Sequence, residues 1–126
     1  MKKLFGAFIL FSLFTVFISA CAMGGNTATG PNPVHMDSTT FTQSSITIKK
    51  GEIITLINDD APPHIIANGT WDDSTPKPAT EAGAPKINNM QVDGFGSGKL
   101  GPFNTAGTFK LYCTVHPGMK MTVIVK

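Results

Sequence analysis

Polar and apolar positions alternate through much of the chain after residue 40. Ser45-Ile46-Thr47-Ile48 switches side chain by side chain, the pattern of a strand with one buried face. Lys49-Lys50-Gly51-Glu52 interrupts it as a turn, and Ile53-Ile54-Thr55-Leu56-Ile57 resumes as a second, more buried strand. The two read as a hairpin-like pair. Asn58-Asp59-Asp60-Ala61-Pro62-Pro63 breaks the pattern, and His64-Ile65-Ile66-Ala67 reads as a short third strand. Residues 68 to 91 are the least regular. Pro76 and Pro78 exclude a helix interior around them, and a short helix is expected near Thr80 to Ala84. Order returns after Asp93. Gly98 to Phe103 reads as a strand edge, Asn104 to Gly107 as a turn, Thr108 to Cys113 as an alternating strand and Met121 to Lys126 as a closing strand. Short strands with regular turn signals predict an all-β sandwich or barrel. Phe41, Phe95, Phe103, Phe109 and Tyr112 are assigned to its core, and Trp71, amid polar residues, either to the core's cover or to a docking surface.

The first 20 residues follow a different logic. Lys2 and Lys3 precede an apolar run from Leu4 to Ala20, short for a full membrane span and suited to a secretory signal. The run ends Ile18-Ser19-Ala20-Cys21, which resembles the lipobox of bacterial lipoproteins. The resemblance implies acylation of Cys21, cleavage before it, and a domain working outside the cytoplasm on a lipid anchor. Residues 1–20 are thus expected to be a signal peptide. Residues 21–37, rich in Gly, Pro and small polar side chains, read as a flexible tether, and residues 38–126 as the folded domain.

Composition narrows the function classes. Once Lys2 and Lys3 are set aside, 8 Lys face 8 acidic residues, and there is no Arg. That charge balance excludes the basic footprint of a nucleic-acid-binding protein. Cys21 and Cys113 each have a separate use, so no disulfide is expected.

The chemistry concentrates in Cys113-Thr114-Val115-His116-Pro117-Gly118-Met119, which gathers a thiolate, an imidazole and a thioether in seven residues between apolar strands. Two imidazoles and a thiolate in a plane, with a weak axial thioether, form the donor set of blue copper. One short loop cannot surround a metal, so a second imidazole must come from elsewhere. His64, after the Pro62-Pro63 break, is the candidate. His35 is read as a tether or first-strand residue without a metal role.

With these residues in place, the chain from Ser45 to Lys126 resembles the cupredoxin family, plastocyanin and amicyanin among its members. The matching pieces are Ser45 to Glu52, Asn58-Asp59-Asp60 ahead of His64, Gly107 to Cys113, and the ligand loop with the strand after it. The resemblance implies a Greek-key β-sandwich of about eight strands. It implies one copper per chain, held by His64, Cys113, His116 and Met119, that exchanges one electron between Cu(I) and Cu(II). It further implies a monomer that docks transiently on redox proteins. Met119 matches the shorter loop spacing of amicyanin, and Met121 the longer one of plastocyanin. Met119 is preferred because it leaves the closing strand intact. Many relatives carry Asn after the first His ligand, where this chain has Ile65. That departure bears on tuning of the metal more than on its binding.

Rival readings use the same residues. Copper storage, delivery or resistance in the envelope is the alternative, although Met23, Met36 and Met90 are scattered rather than clustered. Multicopper enzymes need more His than the three present, and a binuclear copper centre needs two nearby Cys; no enzymatic activity is expected. Zinc accepts His and Cys, but an axial Met favours copper. Asp59, Asp60, Asp72 and Asp73 read as solvated loop charges, with an acidic docking patch as the alternative.

Overall fold

The computed structural model describes residues 30–126. The signal, Cys21 and most of the expected tether lie outside the described residues. Among the described residues nine strands form: β1 (Pro33–Met36), β2 (Ser45–Ile48), β3 (Glu52–Asn58), β4 (His64–Asp72), β5 (Thr75–Pro78), β6 (Met90–Val92), β7 (Ser97–Phe103), β8 (Gly107–Cys113) and β9 (Lys120–Val125). One sheet runs β1-β3-β7. The larger runs β2-β9-β8-β4-β5, with β6 also on β4. The β1–β3 and β2–β9 pairs are parallel, and the rest are antiparallel.

Alternation drives this arrangement, because each strand turns one row of side chains inward. Val34, Met36, Ile54, Leu56, Leu100 and Phe103 from the small sheet meet Ile48, Ile66, Phe109, Leu111, Val123 and Val125 from the large one in a single buried cluster. The Phe103 and Phe109 rings face each other across the sandwich at 6.1 Å. Burying each such side chain contributes on the order of 1.5–3 kcal/mol. Cys113 and Met119 belong to the same cluster, so the expected ligand loop is rooted in the core.

Several expectations need correction. The segment read as hairpin-like does not pair with itself: β2 joins β9 and β3 joins β1 and β7, in different sheets. The turn between them is pinned to both layers. The Gly51 N–H donates to the Phe103 carbonyl and the Lys50 N–H to the Lys126 carbonyl. Crossing between layers lets Ile48 and Ile54 both face the core. The tether expected over 21–37 ends in strand β1, because Val34 and Met36 alternate inward and the backbone of residues 31–32 bonds to Thr55.

No helix forms at Thr80 to Ala84. A turn closes there, with the Ala84 N–H on the Glu81 carbonyl. So short a segment cannot repay helix nucleation. Backbone groups on either side of it bond instead to buried Asn68, which takes Ala79 N–H on its carbonyl and Ile87 N–H on its Oδ1. Phe95 is 75% exposed rather than in the core, whereas Phe41, Phe103, Phe109 and Tyr112 are buried.

The third strand is longer than expected. β4 pairs with β8 only through Asn68, and from Gly69 onward it pairs with β5. Gly69 holds a φ of 132°, a region that favours glycine. A Cβ there would collide with the Lys77 carbonyl oxygen and reach within 2.9 Å of the Tyr112 ring. Past this residue the strand changes partner from β8 to β5, and Trp71 lies against Tyr112, edge to face at 5.8 Å.

Candidate metal centre

Cys113 is the last residue of β8, and His116 and Met119 lie on the loop that leads into β9. The loop is closed by its own backbone. The Cys113 N–H donates to the Met119 carbonyl at 3.0 Å, and the Met119 N–H to the His116 carbonyl at 3.1 Å. Gly118, with φ 82°, supplies the left-handed residue the tight return needs. The loop is also tied to β4, because the Thr114 N–H donates to the Ile65 carbonyl at 2.8 Å. The backbone carbonyl of Ile65 therefore braces the loop.

His64 opens β4 and is fully buried. Its Nε2–H donates to the Asp37 carbonyl at 2.9 Å, which leaves Nδ1 as the free lone pair. That nitrogen lies 3.2 Å from His116 Nδ1 and 3.7 Å from Cys113 Sγ, and the third side, from Sγ to His116 Nδ1, is 3.4 Å. The point equidistant from these three donors is about 2 Å from each, the length of first-row metal bonds to nitrogen and sulfur. Among the described residues this is the group of His, Cys and acidic side chains converging tightly enough to hold an ion. The donor set of two imidazoles and one buried thiol suits copper.

Burial, and to a lesser degree the neighbouring His116, holds the His64 imidazole below its usual pKa, against the opposing pull of its bond to Asp37. The ring is therefore neutral at pH 7, as a metal ligand must be.

Met119 is buried at the end of the loop. Met121 is also buried, but inside β9 and opposite Leu111, two residues from the Cys113 end of β8. His35 lies on β1 and its Nδ1–H donates to Asp59 at 2.7 Å, in an exposed pair.

Two residues not singled out from the sequence shape the site. Asp37 receives the His64 N–H, and its carboxylate folds its own loop by accepting from the backbone N–H groups of Thr39 and Thr40. These bonds lower its pKa. The Asp-Ser-Thr-Thr run is a turn signal that could have been read, but not its contact 27 positions along the chain.

Asn58, read from the sequence only as the start of a strand break and as a matching piece of the resemblance, proves to be a buried brace. Its side-chain N–H groups donate to the Pro62 and Asp93 carbonyls at 2.8 and 3.1 Å, and its Oδ1 accepts from the Asp60 N–H. It thereby sets the loop that delivers His64. Asn58→Ala is expected to lower stability by about 1–3 kcal/mol, because it removes a buried side chain that ties together the Pro62 and Asp93 carbonyls and the Asp60 N–H. Urea denaturation of the metal-free protein measures this.

The fold and the donor set together define a β-sandwich protein with one mixed nitrogen–sulfur metal centre. A family model described as copper binding proteins, plastocyanin/azurin family, matches residues 29–126. Plastocyanin from Scenedesmus fuscus is 33% identical over 88 residues, spanning 68% of this chain and 86% of that protein. The chain belongs to the plastocyanin/azurin family of copper binding proteins, and copper is its cofactor. Among solved structures, amicyanin from Paracoccus versutus shares the fold with a TM-score of 0.57 at 22% identity, over 75% of this chain and 80% of that one. A reduced Cu(I) form of an amicyanin variant gives 0.60 at 23% identity, over 80% and 87%.

Proposed function

We propose that this protein is a one-electron carrier, with copper held by His64, Cys113 and His116 and capped by Met119. The observation that carries the reading is the triangle of Nδ1, Nδ1 and Sγ, with sides of 3.2 to 3.7 Å, already formed on loops fixed by backbone hydrogen bonds. Copper supplies the redox couple, cycling between Cu(I) and Cu(II). The chain's part is to keep the donors still, so that little rearranges when the charge changes. Asp37 holds His64, the Ile65 and Met119 carbonyls hold the ends of the Cys113 loop, and the core excludes water from the thiolate. No substrate bond is made or broken, so the protein is a carrier rather than an enzyme.

His116 is partly exposed and is the edge through which an electron enters or leaves. Val115, 48% exposed, sits beside it with Pro117 and Gly118. Phe95 flanks the loop before His64, with its N–H on the Asp60 carbonyl. An apolar surface of this kind suits a small, short-lived contact with a redox partner. Adding one equivalent of Cu(II) to the purified protein tests the proposal. An intense band in the orange-red region, bleached by reductant, is expected; its absence from folded protein defeats the reading.

The carrier works at the outer face of a bacterial membrane in this proposal. Support comes from the signal-like run and from Ile18-Ser19-Ala20-Cys21. Cys21→Ala is expected to move the protein from the membrane fraction to the soluble one. Continued membrane attachment in a fractionation experiment counts against the lipid anchor.

A further inference from the structure

We propose that the end of the sandwich opposite the metal rests on an anionic phospholipid surface, so that the copper site points away from the membrane and meets its redox partners on the aqueous side. The inference rests on the lipid-anchor reading and adds to it a face and a direction. β3 runs from Glu52 to Asn58, and the loop braced by Asn58 delivers His64. β8 ends at Cys113. The metal centre is therefore at the Asn58 end. The turn from Lys49 to Glu52 and the turn at residues 104–106 are at the other, roughly 20 Å away along a strand of this length.

The chain enters on the half away from the metal. The Asn32 side-chain N–H groups donate to the Ile53 carbonyl at 2.9 Å and to the Glu52 carboxylate at 3.4 Å, and β1 then climbs beside β3 as far as Met36. Nine residue-to-residue steps join Cys21 to Gly30, a reach of at most about 30 Å. An anchor that close keeps the domain at high local concentration against the lipid, so a weak attraction is enough to select the face that touches it.

Charge makes the selection. Lys49 and Lys50 are exposed on the far turn, whose backbone is pinned to Lys126 and Phe103. Glu52, the acidic residue of that turn, is folded back onto the protein, where its carboxylate accepts the Lys49 N–H at 2.9 Å as well as the Asn32 amide. The metal end carries the opposite sign. Asp37 follows β1, Asp59 and Asp60 follow β3, and Asp93 follows β6, whose Val92 lies opposite His64. Lys120, which opens β9 at the same end, offsets one of these four. Anionic headgroups attract the lysine end and repel the aspartate end, which turns the partly exposed His116 toward water.

The test uses the full acylated chain, copper-loaded and reduced, in vesicles of phosphatidylcholine with or without an equal part of phosphatidylglycerol. A fluorophore is attached through Asn104→Cys at the far end or Ser97→Cys at the metal end, both exposed positions. Energy transfer to an acceptor dye on the lipid headgroups is then read. In the anionic vesicles, transfer is expected to be about twofold stronger from position 104 than from 97, because most of a strand's length separates them. Lys49→Gln together with Lys50→Gln, or high salt, is expected to bring the two positions level. Equal transfer from both positions in the parent, or stronger transfer from 97, overturns the proposal. So does a preference for 104 that stays unchanged in pure phosphatidylcholine or in the double variant, because the lysines then do not select the face. A chain that fails to float with either vesicle defeats the lipid-anchor reading instead, so the two failures are told apart.

Discussion

Cys113→Ser is expected to abolish the intense visible absorption of the copper-loaded protein and to leave the β-sandwich folded. The colour requires charge transfer from a thiolate, and Cys113 is the free cysteine among the described residues. A serine hydroxyl at the same corner of the triangle is a harder donor that stays protonated at neutral pH. Two imidazoles then hold Cu(II) as a pale, weaker complex. The protein itself loses less. Cys113 is fully buried and packs with the core, so a hydroxyl there costs on the order of 1–3 kcal/mol unless it finds a partner. The measurement pairs a visible spectrum with a denaturant curve. A retained band in a folded variant removes Cys113 from the metal.

Met119→Leu is expected to keep the colour and raise the reduction potential, and Met121→Leu to leave the potential unchanged. The Met119 thioether would donate weakly to a bound Cu(II), so its removal would favour Cu(I). A shift of about 60 mV follows from a tenfold change in the ratio of the two affinities, for one electron. Met121 has a different job. It sits within β9 opposite Leu111, where leucine is close in volume, so the swap costs less than about 1.5 kcal/mol. Potentiometry on the two variants separates the roles. The reverse pattern hands the axial position to Met121.

How much of this could be read from the chain depended on how locally each feature is written. Cys113, His116 and Met119 stand within seven residues, and the alternation that places Cys113 on an inward face is visible around it. His64 took more inference, because its nearness to the loop depends on β4 pairing with β8. Features set by distant contacts were missed. Nothing near Asp37 announces that its carbonyl fixes a histidine 27 positions on. The turn at Lys49 to Glu52 looks the same whether the flanking strands pair or part. Only the competition for β9 and β7 decides it. Phe95 was placed in the core by residue type alone, but its positive φ of 57° and the close glycines around it turn the ring outward. Trp71, amid polar residues, reads either as the core's cover or as a docking surface; it is buried against Tyr112, a contact that the residues around it do not announce.

The order of strands has a consequence for how the protein is made. β9 is the ninth strand to emerge, yet it lies inside the large sheet, between β2 and β8. Until it arrives, β2 has no neighbour in its sheet, and the loop bearing His116 and Met119 has nothing to close onto. Copper capture is therefore a late event, coupled to completion of a fold dominated by contacts between distant residues, a class that folds in milliseconds to seconds.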